Sequence, residues 1–253
     1  MGSDKIHHHH HHMVIGQKVL LARIPKMGDN YSTYLLDIEG TVCPISFVKE
    51  TLFPYFTNKV PQLVQQDTRD SPVSNILSQF HIDNKEQLQA HILELVAKDV
   101  KDPILKQLQG YVWAHGYESG QIKAPVYADA IDFIKRKKRV FIYSSGSVKA
   151  QKLLFGYVQD PNAPAHDSLD LNSYIDGYFD INTSGKKTET QSYANILRDI
   201  GAKASEVLFL SDNPLELDAA AGVGIATGLA SRPGNAPVPD GQKYQVYKNF
   251  ETL

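Results

Sequence analysis

The chain has a single cysteine, Cys43, among its 253 residues. An internal disulfide is therefore excluded, and the composition suits a reducing compartment. Histidine is also scarce beyond the start. Six of the ten His form one run at positions 7–12, and His81, His91, His115 and His166 are scattered. A multi-His metal site is not expected. No apolar run approaches the roughly 20 residues that a bilayer-spanning helix needs. Nor is there a basic excess: from Met27 onward, 22 Lys plus Arg stand against 27 Asp plus Glu. A nucleic-acid surface wants a basic stripe. These absences point to a soluble protein with no membrane or nucleic-acid partner. It is expected in the cytoplasm, with the nucleus as a second compartment open to it.

Residues 1–26 read as an expression tag and then leader or vector sequence, and the native start is expected at Met27. The chain from Met27 to its end is long enough for one large core, or for a core with a small insert. Four apolar runs look like buried strands: 31–37, 139–145, 207–212 and 224–230. Their lack of alternation suits a parallel sheet covered on both faces. "YQVYKNF" is a further candidate. Helical spacing separates them. Tyr127, Ala130, Ile131 and Ile134 fall on one face, as do Tyr193, Ile196, Leu197 and Ile200, with Gly201 as a stop. The pattern predicts an α/β core with a doubly wound, Rossmann-like, mostly parallel sheet.

The interval 45–124 holds no convincing strand. Asp83 is placed to cap a helix whose stripe is Leu88, Ile92, Leu95 and Val96, with Glu86 completing a capping box. Pro54, Pro61, Pro72 and Pro103 bound its neighbours. We read 45–124 as an inserted all-helical cap domain, with 27–44 and 125–253 forming the core. Extra helices packed on the core are the alternative. The loops at 159–168 and 231–241, rich in Pro, Asn and Asp, are expected to be exposed.

Open parallel sheets carry their sites at the carboxyl ends of the strands. Asp37, Glu39 and Thr41 come after the first run; Ser144, Ser145 and Gly146 come after the second. Asp212 ends "VLFLSD", with Glu216 four residues on, and Lys186 and Lys187 precede the helix near 189. Asp37 and Asp212 are hard oxygen donors suited to one Mg²⁺. Ser144 and Ser145, near a helix N-terminus, suit a phosphate, and a lysine adds a compact positive charge. Asp37 could attack phosphorus, and Glu39 could exchange protons with the leaving oxygen and with water. Each residue has a plainer reading too. Asp37 could be a turn residue, the serines could cap the helix near Val148, and the lysines could be solvated charges. Cys43 reads as a packed side chain. Trp113, His115 and Tyr117 are either core or pocket.

Taken in order, "DIEGT", "SSGS", a lysine and "SDNPLE" resemble the haloacid dehalogenase superfamily of phosphotransferases. Glutamate stands where the second aspartate of its D-x-D-x-T motif is usual. With "SSGSVKAQKLLFG", "YFD" and "RPGNAPVPD", this departure resembles the enolase-phosphatase, or acireductone synthase, family over essentially 31–250. The resemblance implies a monomeric enzyme of methionine salvage with one Mg²⁺ per chain. Its substrate would be 2,3-diketo-5-methylthiopentyl 1-phosphate, enolised and then dephosphorylated to 1,2-dihydroxy-3-keto-5-methylthiopentene. By motif position, Asp37 is the nucleophile and a metal ligand, and Glu39 the second acid and a metal ligand. Ser144 and Ser145 contact substrate, Lys187 is the catalytic and phosphate-binding lysine, and Asp212 is the metal acid. Two alternatives stand beside this reading. One is a phosphatase of the same superfamily acting on another small phosphate ester. The other is a receiver-like signalling domain, disfavoured by the insert and by an acceptor on the first strand.

Overall fold

Thr33–Leu36 (β1), Val140–Tyr143 (β2), Gly177–Phe179 (β3), Val207–Ser211 (β4), Ala226–Ala230 (β5) and Gln245–Tyr247 (β6) form one sheet in the order 3-2-1-4-5-6. Every pairing is parallel. This is a computed structural model that describes residues 31–66, 70–165 and 167–253. The expected tag, leader and start at Met27 lie outside them. β1, β2 and β4 are buried at every position, which is why their sequences are continuous apolar runs. The sequence did not signal β3. It is a three-residue edge strand, only half-buried throughout, and so needs no apolar run.

The chain divides into two compact units. Residues 31–45 with 124–253 form the sheet unit, and Ser46–Lys123 form a helical unit. In the helical unit, a π-helical turn at Val48–Leu52 runs into α1 (Phe53–Gln65), and then come α2 (Pro72–Ser78), α3 (Lys85–Ala97) and α4 (Pro103–Glu118). Trp113 is core here: its indole N–H donates to Leu52 O at 2.9 Å, and its ring stacks on Phe53. The cap of α3 is Asn84, not the expected Asp83. Asn84 has the extended backbone, and its side chain accepts from Gln87 N–H at 2.9 Å. Either residue has the right chemistry, and the register of the first turn selects the second. Leu88 and Ile92 are buried as expected, while Leu95 and Val96 are only half-buried.

The sheet unit carries α5 (Ala128–Arg136), α6 (Val148–Gly156), α7 (Thr190–Ile200) and α8 (Pro214–Ala221). Gly201 ends α7 in the left-handed region, φ 65°, which glycine occupies without a Cβ clash. Tyr193 and Ile196 of α7 pack on Leu35, Tyr143 and Phe209 of the sheet. Among the described residues, no helix is long and apolar enough to cross a membrane.

Candidate active site

The first three strands run outward from β1 one way, and β4 to β6 lie on its other side. The topological switch therefore falls beside β1, where such sheets open a crevice at their carboxyl ends. The residues that leave the strands here are Asp37, Ser144, Asp180 and Asp212.

Asp37 comes directly after β1 with its N–H bonded to Leu210 O of β4 at 3.0 Å. The loop then turns tightly: Thr41, Val42 and Cys43 all donate to Ile38 O. Thr41 Oγ1 donates back to Asp37 Oδ2 at 3.1 Å. Lys187 Nζ meets Asp37 Oδ1 at 2.5 Å and Glu216 Oε1 at 2.9 Å. Burial alone would lower the Lys187 pKa, but the two carboxylates hold it above its ordinary value. Lys186, next to it, is exposed.

The loop that presents Lys187 is held by side chains of α7 and β2. Tyr193 donates to Lys187 O at 2.6 Å, Ser192 to Lys186 O at 2.6 Å and Asn195 to Ser184 O at 2.9 Å. Tyr143 donates to Gly185 O. Glu216, in the first turn of α8, accepts from Ser211 Oγ at 2.9 Å as well as from Lys187. Asn213 caps α8 through Leu215 N–H and reaches Glu216 through its amide.

Asp212 lies within hydrogen-bonding reach of Asp37, and burial and then that neighbour push its pKa up to about 8. Gly40 makes room for it. At φ 75°, Gly40 is in the left-handed region, and a Cβ there would fall 2.4 Å from Asp212 Oδ2. Three acids, Asp37, Asp212 and Glu216, thus gather around one ammonium group. Two facing carboxylates with excess negative charge and only hard oxygen donors fit a small divalent cation. Glu39 is not drawn in by its side chain, which is exposed. No group of three His, Cys, Asp or Glu side chains able to hold a metal occurs among the described residues.

Ser144 is half-buried and Ser145 exposed at the end of β2. Neither caps α6. Ser147 does, accepting from Ala150 N–H at 3.1 Å, and so the two earlier hydroxyls are left to other partners. Ser144 Oγ accepts from Gly146 N–H at 3.3 Å.

Two groups around this site lie in the family-like "YFD" and "RPGNAPVPD", but the sequence alone assigns them no role. Asp180 accepts from Val148 N–H at 3.0 Å and from Asn182 and Thr183 N–H at 2.9 and 2.8 Å. It ties the serine loop to the lysine loop, and the acid directly after "YF" is the available signal. Arg232 corrects the expectation that 231–241 is merely exposed. It is 5% exposed, forks onto Asp129 at 2.9 and 2.8 Å and donates to Thr41 O at 2.8 Å. Its guanidinium also lies over the rings of Tyr127 and Phe250. His115 is exposed and lines a 430 Å³ groove within the helical unit with Tyr55, Lys59 and Tyr111. Cys43 is fully buried.

The haloacid dehalogenase-like hydrolase profile matches residues 31–224. Enolase-phosphatase E1 of Saccharomyces cerevisiae strain YJM789 is 99% identical over 227 residues, 90% of this chain and 100% of that protein. Enolase-phosphatase E1 of Zygosaccharomyces rouxii is 60% identical over 226 residues, 88% of this chain and 99% of that protein. The crystal structure of the UTR4 protein of Saccharomyces cerevisiae shares 99% sequence identity and superposes with a TM-score of 0.84, covering 88% of this chain and 100% of that one. Through these matches, and through the acids, serines and lysine that its strands present, the chain belongs to the enolase-phosphatases of the haloacid dehalogenase-like hydrolases.

Proposed function

We propose that this protein converts 2,3-diketo-5-methylthiopentyl 1-phosphate to 1,2-dihydroxy-3-keto-5-methylthiopentene and phosphate in methionine salvage. The observation that carries this is the meeting of Asp37, Lys187 and Asp212 at the carboxyl ends of β1 and β4, in a chain like the enolase-phosphatases over its whole sheet unit. Asp37 attacks phosphorus, and the bond from phosphorus to the ester oxygen breaks. Glu39, with its exposed carboxyl, gives that oxygen a proton. It then takes one from the water that attacks the aspartyl phosphate, and phosphate leaves from Asp37. Thr41 and Lys187 orient the nucleophile through its two oxygens. Lys187, Ser144 and Ser145 hold the phosphate oxygens.

Asp37 and Asp212 would hold one Mg²⁺, with Glu39 contributing its backbone carbonyl. When bound, the ion offsets repulsion between carboxylate and phosphate and polarises the dicarbonyl oxygens. We assign the helical unit Ser46–Lys123 the role of the cap. Because the sheet unit of one chain supplies every residue named for the chemistry, we take the monomer as the working form. The buried lone thiol fits a reducing cytoplasm.

The test is a Mg²⁺-dependent assay on the diketo phosphate beside a panel of ordinary phosphate esters. An ultraviolet-absorbing enol product should appear with free phosphate, and the diketo compound should be preferred. Equal or faster turnover of a simple sugar phosphate or phosphoglycolate would refute the substrate assignment.

A further inference from the structure

Asn235 lies in the loop after β5. Its backbone N–H donates to Arg232 O at 3.1 Å, and its Nδ2 donates to Gly40 O at 2.9 Å and to Ala230 O at 3.4 Å. Two carbonyl acceptors around one end of the amide identify that end as nitrogen. Oδ1 must then be the other end. It is buried, and no donor of the described residues reaches it.

Gly40 shows where Oδ1 points. A Cβ built there would lie 2.4 Å from Asp212 Oδ2 and 3.0 Å from Asn235 Oδ1. The two oxygens therefore flank one point beside Gly40, no farther apart than those two lengths combined. Buried acceptors are ordinarily matched with donors. With a cation bound, Asp212 is ionised and supplies no proton to the facing amide oxygen. A water on a cation held by Asp212 does, because its lone pair is turned to the metal and its hydrogens outward.

We propose that Asn235 is a positioning residue of the metal site. Its Oδ1 accepts a hydrogen bond from a water on the cation, and its Nδ2 ties that geometry to the Gly40 carbonyl in the nucleophile's loop. The proposal rests on the reading of Asp37 and Asp212 as the metal pair. Asn213, next to Asp212 in sequence, does not fill this role, since its side chain serves α8 and Glu216.

The test is calorimetric titration of the full chain with Mg²⁺, together with thermal unfolding in the presence and absence of the ion. Asn235→Ala loses both the Nδ2 donor and the Oδ1 acceptor. Asn235→Asp loses the donor but keeps an acceptor. Both should unfold at lower temperature without Mg²⁺. Asn235→Ala should bind Mg²⁺ about tenfold more weakly, whereas Asn235→Asp should bind as tightly as wild type or more tightly. Unchanged or tighter binding by Asn235→Ala, or equal weakening in both variants, would overturn the proposal. Should Asn235→Ala fail to fold, weakened binding by Asn235→Asp overturns it alone. Absence of Mg²⁺ binding by the wild type, or wild-type binding by Asp212→Asn, would instead remove the metal reading beneath it.

Discussion

Lys187 Nζ lies 2.5 Å from Asp37 Oδ1, although 150 residues separate them in the chain. The same ammonium holds Glu216 at 2.9 Å, so removal of the Asp37 charge does not leave it unpaired. Asp37→Asn should therefore fold with wild-type stability or better, because one of three crowded acids is gone. Phosphate release should fall on the order of 10⁴-fold or more, which is what the covalent role proposed for Asp37 requires. Urea midpoints and phosphate assays check the two halves. Enol formation that survives in the variant would show that the two half-reactions use different residues.

Glu216 is the lysine's second anchor, and its own pKa is raised by burial and then by Asp37. Replacing Glu216 with Leu leaves Asp37 as the lysine's remaining carboxylate partner. Replacing Lys187 with Met leaves the acids clustered without their cation. Lys187→Met should cost about 3 kcal/mol and Glu216→Leu less, because Asp37 still pairs the ammonium, while the two changes together should cost less than their combined single costs. Denaturant titration of the four proteins measures this coupling. Strict additivity would show that the contact carries no energy.

Gly40 gives a prediction that separates metal from fold. Gly40→Ala must adopt φ 75° with its methyl 2.4 Å from Asp212 Oδ2. The backbone strain should cost about 1 kcal/mol. The larger effect should be displacement of Asp212, seen as a loss of Mg²⁺-dependent thermal stabilisation. A full Mg²⁺-dependent shift in Gly40→Ala would show that Asp212 does not hold the ion.

The sequence announces the parts of this structure that are buried on both sides. β1, β2 and β4 are fully covered, so their apolar runs are unambiguous, and the acids that end β1 and β4 stand out against them. β3 has neither full burial nor length, so no apolar run leads to Asp180, and the family-like "YFD" marks it without showing its role. Arg232 and Asn235 stand in the family-like "RPGNAPVPD", but their roles are hidden for a different reason. A loop of Pro, Gly and Asn reads as solvent-exposed whatever it covers, and composition does not reveal that a guanidinium has turned inward onto Asp129. Asn84 displaces Asp83 as a cap because the two residues are chemically equivalent there, and only the backbone register distinguishes them.

Cys43 should be silent in the native protein. Its side chain is 0% exposed, and burial, with the Glu39 carboxylate second, pushes the thiol well above its ordinary pKa. A thiol reagent at pH 8 should label no cysteine in native protein and one after denaturation. The unfolded thiol ionises first, so the unfolded state gains stability once pH passes its ordinary pKa. Folding stability should then fall by up to about 1.4 kcal/mol per pH unit above roughly pH 9. Cys43→Ala should flatten that slope, and an identical slope would show that other groups account for the whole alkaline loss.

Arg232 links the carboxyl-terminal loop to the turn that follows Asp37. It grips Asp129 with two parallel bonds, donates to Thr41 O, and is covered by Tyr127 and Phe250. Thr41 in turn holds Asp37 Oδ2. Arg232→Ala would leave Asp129 with Phe250 N–H as its main remaining donor, and should cost about 3–5 kcal/mol. Arg232→Lys is the more telling variant, because it keeps the charge but loses the planar fork and the stacking. It should recover part of the stability yet still lower kcat, because a single ammonium is a poor substitute for a fork that reaches Asp129 and the Thr41 carbonyl at once. If Arg232→Lys matches wild type in both denaturant midpoint and kcat, the charge alone suffices and the tether to Asp37 through Thr41 has no catalytic weight.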